Sequence, residues 1–154
     1  MKFKNYDRVV FAGDSVTDMG SANPVGEGLF DNLGKSYVRV IKNMLVAWYP
    51  ELNIRITNSG IGGNTSRDLA ARFDRDVVDL NPQWVSICIG INDVGRQFDT
   101  PAIPEWAVTI EDYEKNQRKG EGNFSLYAIL YRAECRRCNE KTYGRIRIGL
   151  QKIG

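Results

Sequence analysis

Residues Arg8 to Ser15, RVVFAGDS, constrain the fold of this chain more than any other stretch. A short apolar run, Val9-Val10-Phe11-Ala12, stops abruptly at Gly13. A carboxylate and a hydroxyl follow at once, Asp14 and Ser15. An apolar, β-prone run bounded by a glycine reads as a buried strand. Such a strand presents Ser15 on the first turn beyond its C-terminal end. In open α/β sheets that edge is where ligands bind.

The same signal recurs twice. Asn53 to Thr57 (NIRIT) alternates apolar and polar residues and runs into Asn58-Ser59-Gly60-Ile61-Gly62-Gly63-Asn64. Trp84 to Ile89 (WVSICI) is nearly continuous in apolar residues, as a central parallel strand covered on both faces should be. It runs into Gly90-Ile91-Asn92-Asp93. Helical patterns separate the strands. From about Lys35 to Trp48, residues Val38, Ile41, Leu45 and Trp48 share one face, and Pro50 marks the end. Thr65 or Ser66 caps a second helix, with Asp68 completing a capping box. Leu69, Phe73, Val77 and Leu80 form its buried stripe, stopped by Asn81-Pro82. Thr109, with Asp112 at the reciprocal position, caps a third. Val16 to Gly34 and Val94 to Pro104 lack periodicity and read as long loops. The order β-α-β-α-β-α predicts a parallel sheet with right-handed crossovers. Strand 1 flanked by strands 2 and 3 would form a topological switch point. Phe124 to Tyr131 is a candidate fourth strand, and Ile146, Ile148 and Leu150 alternate weakly.

Three parallel strand ends, each with glycine and a hydrogen-bonding side chain, would face one cleft. A serine hydroxyl, a glycine N–H and an asparagine amide are the parts of an acyl-transfer site, a nucleophile and donors for an oxyanion. Taken singly, each has a simpler role: a cap hydroxyl, a turn glycine, an Asx turn. Their order along the chain distinguishes the set.

In that order the motifs resemble the GDSL/SGNH hydrolases, a family of esterases and lipases. Gly13-Asp14-Ser15 with Thr17 is similar to the family's first block. Asn58-Ser59-Gly60 is similar to its N-x-G block, and Gly90-Ile91-Asn92-Asp93 to its G-x-N-D block. The resemblance implies a flavodoxin-like three-layer α/β/α sandwich with a parallel sheet, C-terminally incomplete here. It implies Ser15 as nucleophile and an oxyanion hole of Ser15 N–H, Gly60 N–H and the Asn92 amide. Gly13, Asp14, Thr17, Asn58, Gly90 and Asp93 would support them. Substrates would be small esters (acyl lipids, acetylated sugars, thioesters), with no metal or organic cofactor. The family's fourth block, D-x-x-H, has no counterpart, and the chain has no histidine at all. No catalytic base is identifiable, so impaired turnover is expected. A non-catalytic binding protein with a hydrolase-like cleft is the alternative.

The totals fit this reading. The 154 residues suffice for one domain. There is no run of eighteen apolar residues and no signal-peptide pattern, so a cytoplasmic protein is expected. Cys88 reads as core, and Cys135 and Cys138 lack the further ligands a zinc site needs. Residues 1–114 carry 11 Lys+Arg against 16 Asp+Glu, whereas residues 115–154 carry 10 against 3. The jump divides the chain into a hydrolase-like core over 1–115 and an atypical basic tail over 116–154 that adds at most one further strand. Codons for Tyr127 to Arg147 can be chosen so that the neighbouring frame reads TPFYIEPNAEDAMRK, one free position, then MDEYG. A reading-frame shift near Asn116 to Gly122 is therefore expected, and sequencing the gene tests it. The tail's arginines lack the aromatic interleaving of a single-strand nucleic-acid binder, so no nucleic-acid partner is expected. Gly28 to Ser36 (GLFDNLGKS) approaches a phosphate-binding loop, the basis of a nucleotide-binding alternative. It has five residues between its glycines where that loop needs four, and Gly34-Lys35-Ser36 reads better as a helix start. A small sheet leaves an edge open, so homo-oligomerisation is expected.

Overall fold

The computed structural model describes residues 3–22, 31–99, 103, 106–118 and 125–128. Four strands lie in one parallel sheet of order β2-β1-β3-β4, with β1 Arg8–Gly13, β2 Arg55–Gly60, β3 Trp84–Cys88 and β4 Ser125–Ala128. Gly13 pairs with Gly60 on one side and Cys88 on the other, so three strand ends come level at the same edge. β1 is central because it is apolar on both faces. Val10 and Ala12 pack with Leu69, Phe73, Val77, Val85, Ile87 and Ile89. Val9 and Phe11 pack on the opposite face with Leu33 and Val38. Helices cover both faces, as a parallel sheet requires. This is the three-layer α/β/α sandwich that the family resemblance implies, on the parallel sheet expected from the order of elements.

Five helices connect the strands: α1 Ser15–Asp18, α2 Tyr37–Trp48, α3 Ser66–Asp76, α4 Ile91–Asp99 and α5 Ile110–Gln117. The capping expectations hold. Thr65 and Asp68 form a full capping box on α3, and the Thr109 side chain accepts from Asp112 N–H at the start of α5. Ser36 caps α2, accepting from Val38 N–H, so the Gly34-Lys35-Ser36 stretch is a helix start as read.

Several boundaries differ from expectation. α1 occupies the start of the long loop expected after Ser15, because Asp14 supplies its N-cap. α4 replaces the start of the loop expected over Val94 to Pro104; Gly95 and the nearby prolines had masked its pattern. α3 ends at Asp76, and a 3₁₀ turn carries Leu80, which is only partly buried. Trp48, placed by spacing on the inner face of α2, is 64% exposed, since only the first half of that helix lies over the sheet. Cys88 is buried and free, as expected of a core residue. Cys135, Cys138, Ile146, Ile148, Leu150, Gly28, the proposed frame shift beyond Arg118 and most of the basic tail lie outside the described residues.

Candidate active site

Ser15 is the first residue of α1, directly past the end of β1, and is exposed. Asp14 holds it there: its carboxylate accepts from Val16 N–H at 3.0 Å and caps the turn. Asp14 is itself 1% exposed. Burial raises its carboxyl above the usual range, against the Val16 hydrogen bond and with help from the charge of Asp93. Thr17 faces inward, its hydroxyl 3.1 Å from the Tyr37 hydroxyl. Burial pushes Tyr37 up to about 12, so this pair stays neutral and structural.

The far end of α1 grips the turn after β2. Asp18 accepts from Ser21 N–H at 2.9 Å, from the Ser21 hydroxyl at 2.8 Å and from Gly62 N–H at 3.1 Å. A Cβ at position 62 would lie 4.0 Å from Ser15 Cβ, so this turn lies against the Ser15 side chain.

Asn58 is a staple. Its amide donates to Thr17 O at 2.7 Å and Leu33 O at 2.9 Å, and its oxygen accepts from Gly60 N–H at 2.9 Å. That last bond engages the Gly60 N–H, which is buried rather than open as expected of an oxyanion donor. Gly60 is glycine for space: a Cβ there would stand 2.3 Å from Asp18 N. Gly60→Ala is expected to cost about 1–3 kcal/mol, because a backbone atom cannot rotate away; a lowered urea midpoint checks it.

The neighbouring amides are also taken. Ile61 N–H donates to Gly13 O, Gly62 N–H to Asp18, and Asn64 N–H to Ile61 O. Gly63 N–H is the amide of this turn without an acceptor among the described residues. Its φ of +81° favours glycine. Sequence reasoning passed over Gly63 because three glycines within four residues look alike until their backbone angles are known.

Asn92 and Asp93 sit in the first turn of α4. Asn92 donates one amide hydrogen to Asn64 O at 2.9 Å, which leaves the other for a ligand. Asp93 has a different task. Its carboxylate accepts from Ser66 N–H at 3.0 and 2.9 Å and from the Ser66 hydroxyl at 2.5 Å, and Asn116 donates to that hydroxyl at 3.1 Å. A carboxylate on the first turn of α3 is favourably placed for the helix dipole. Burial nevertheless raises the Asp93 carboxyl, opposed by the Ser66 bonds. Asp93 thus fixes α4, and Asn92 with it, against α3.

The organising cation is Arg72, which nothing in the sequence singled out. It is 9% exposed. It donates to Asn64 Oδ1 at 2.7 Å, to Ser59 Oγ, Asp76 Oδ2 and Gly13 O each at 3.1 Å. One guanidinium therefore ties the ends of β1 and β2 to the glycine turn that Asn92 contacts. No cluster of three or more His, Cys, Asp or Glu side chains able to hold a metal occurs among the described residues.

A serine after β1, a glycine turn after β2 and an asparagine after β3 stand at the same edge of a flavodoxin-like parallel sheet. The chain belongs to the GDSL-like Lipase/Acylhydrolase family, whose profile matches residues 11–142. That match runs past residue 115, farther than the motifs alone reach. An acetylxylan esterase of Geobacillus stearothermophilus is 51% identical over 118 residues, 77% of this chain and 54% of that protein. The crystal structure of that esterase superposes with a TM-score of 0.72 over the same shares of the two chains. Crystal structures of catalytic mutants of that esterase replace a serine, an aspartate or a histidine by alanine. An alpha/beta hydrolase from the metagenome of Lake Arreo, Spain, is 46% identical over 74% of this chain and 53% of that one, with a TM-score of 0.70. The chain spans about half the length of these relatives. No helix among the described residues is long and apolar enough to cross a membrane.

Proposed function

We propose that Ser15 is the nucleophile of an ester hydrolase. Its oxyanion donors are Ser15 N–H, Gly63 N–H and the second hydrogen of the Asn92 amide. The observation that carries this reading is the grip of Asp18 on Gly62, which sets the turn bearing the open Gly63 amide against Ser15. The Ser15 oxygen adds to the ester carbonyl, the three donors take the charge on the carbonyl oxygen, and the alcohol departs with a proton. Water then releases the acid from the acyl-serine. Acetyl esters of xylo-oligosaccharides are the proposed substrates, by likeness to the 51%-identical relative named for acetylxylan.

Asn92→Ala is expected to slow acylation by p-nitrophenyl acetate about 10²–10³-fold, the usual loss when one oxyanion donor is removed. Unchanged nitrophenol release per Ser15 would remove Asn92 from the site. A second reading, ligand binding without turnover, is favoured by the absence of any histidine to activate Ser15. We also infer self-association. β2 ends the order of the described sheet, and light scattering of a strictly monomeric protein would contradict it.

A further inference from the structure

Beside the proposed oxyanion turn lies a cleft of about 220 Å³ lined by Thr65, Arg67, Asp68, Arg96 and Trp106. It is smaller than the roughly 300–1,000 Å³ of drug-sized pockets, with room for about one sugar ring. We propose that this cleft is a saccharide subsite which seats the alcohol half of the ester, with Trp106 as its platform. The proposal rests on the ester-hydrolase reading for its role and on the lining for its chemistry.

Two contacts tie the cleft to the reacting end. Arg96 Nη2 donates to Gly63 O at 3.3 Å, and the same guanidinium lies 5.7 Å from the centre of the Trp106 ring. Arg67 donates to Ala107 O at 3.1 Å, which anchors the segment carrying Trp106 to the first turn of α3. Trp106 remains 48% exposed.

The lining selects against an acyl chain, which needs apolar walls. Here the single large apolar surface is an indole, and the other four residues are polar or charged. An indole face suits the C–H face of a pyranose, whose ring hydroxyls then reach the rim. Donors and an acceptor are both present there. The guanidiniums donate, and Asp68 spends Oδ2 on Thr65 N–H and the Thr65 hydroxyl while Oδ1 has no partner among the described residues. Opposite charges facing one small cleft also fit a neutral polyhydroxylated ligand better than an anion.

Titration of the full chain with unacetylated xylotriose, followed by NMR and calorimetry, tests the assignment without requiring turnover. The chain has three tryptophans, Trp48, Trp84 and Trp106, so three indole N–H signals are expected. The Trp106 signal should shift saturably, and those of Trp48 and Trp84 should not. Trp106→Ala should raise the dissociation constant at least about tenfold and Trp106→Phe less than about threefold, since the ring platform survives in the latter. No saturable shift of Trp106, or equal binding by a folded Trp106→Ala protein, would overturn the subsite. Binding without any acylation of Ser15 would sink the hydrolase reading and leave the saccharide site standing. Acylation without xylotriose binding would do the reverse.

Discussion

Arg72→Ala is expected to lower the unfolding free energy by about 3–5 kcal/mol, the usual loss when one partner of a buried ion pair is removed. The melting temperature should fall on the order of 10 °C for a domain of this size. The effect has two sources. Asp76 keeps Arg75, at 2.6 Å, but Arg75 is largely exposed and replaces little of what a buried guanidinium supplies. Gly13 O, Ser59 Oγ and Asn64 Oδ1 lose a charged donor together. Arg72→Lys should recover less than half of the loss, because an ammonium cannot reproduce a planar fork aimed at four acceptors. An acid limb belongs to the same network. Hydrogen bonding from Arg75, and then from Arg72, holds the Asp76 carboxyl below its ordinary value of 3.8. A depressed folded-state value stabilises the fold above the unfolded value and is lost as pH falls through the lower one. Asp76→Asn should therefore remove part of the acid dependence of stability below about pH 4.

The second large effect expected is arrested turnover in a chain without histidine. Steady-state hydrolysis of p-nitrophenyl acetate should run on the order of 10⁶-fold below that of an enzyme with a full triad, the scale of loss when the histidine of such a unit is removed. Oxyanion donors still act without a base and leave a residual enhancement over water of about 10³–10⁴. The two half-reactions should not suffer equally. p-Nitrophenolate is a good leaving group and needs no general acid, so acylation retains some rate. Deacylation needs water activated by a base, and the chain has no imidazole to supply it. The acetyl-serine should consequently accumulate, seen as a nitrophenol burst of about one equivalent followed by a very slow steady state.

How far the residues foretold this structure depends on whether the information was local. Strands β1 and β3 announce themselves through apolar runs cut by glycine, β2 through alternation, and the caps at Thr65 and Thr109 through short-range side-chain chemistry. The parallel sheet follows from alternation of strands and helices, which leaves the order β2-β1-β3 to the packing. What failed was long-range or angular. Gly60 and Gly63 are the same residue by composition. Only the Asn58 bond to Gly60 and the positive φ of Gly63 separate a structural amide from an open one. Nothing local marks Arg72, since its four acceptors come from four different parts of the chain. α4 was hidden because Gly95 and the prolines beyond it weaken a helix that tertiary contacts at Asn92 and Asp93 hold in place.

The most direct test of the acyl-transfer site is intact-mass and peptide-mass analysis after brief exposure to p-nitrophenyl acetate. The account predicts a gain of about 42 Da, one acetyl group, located on the peptide bearing Ser15 and absent from Ser15→Ala. The adduct should form more slowly in Asn92→Ala. Acetylation spread over lysines, with Ser15 unmodified and the wild-type chain indistinguishable from Ser15→Ala, would contradict it.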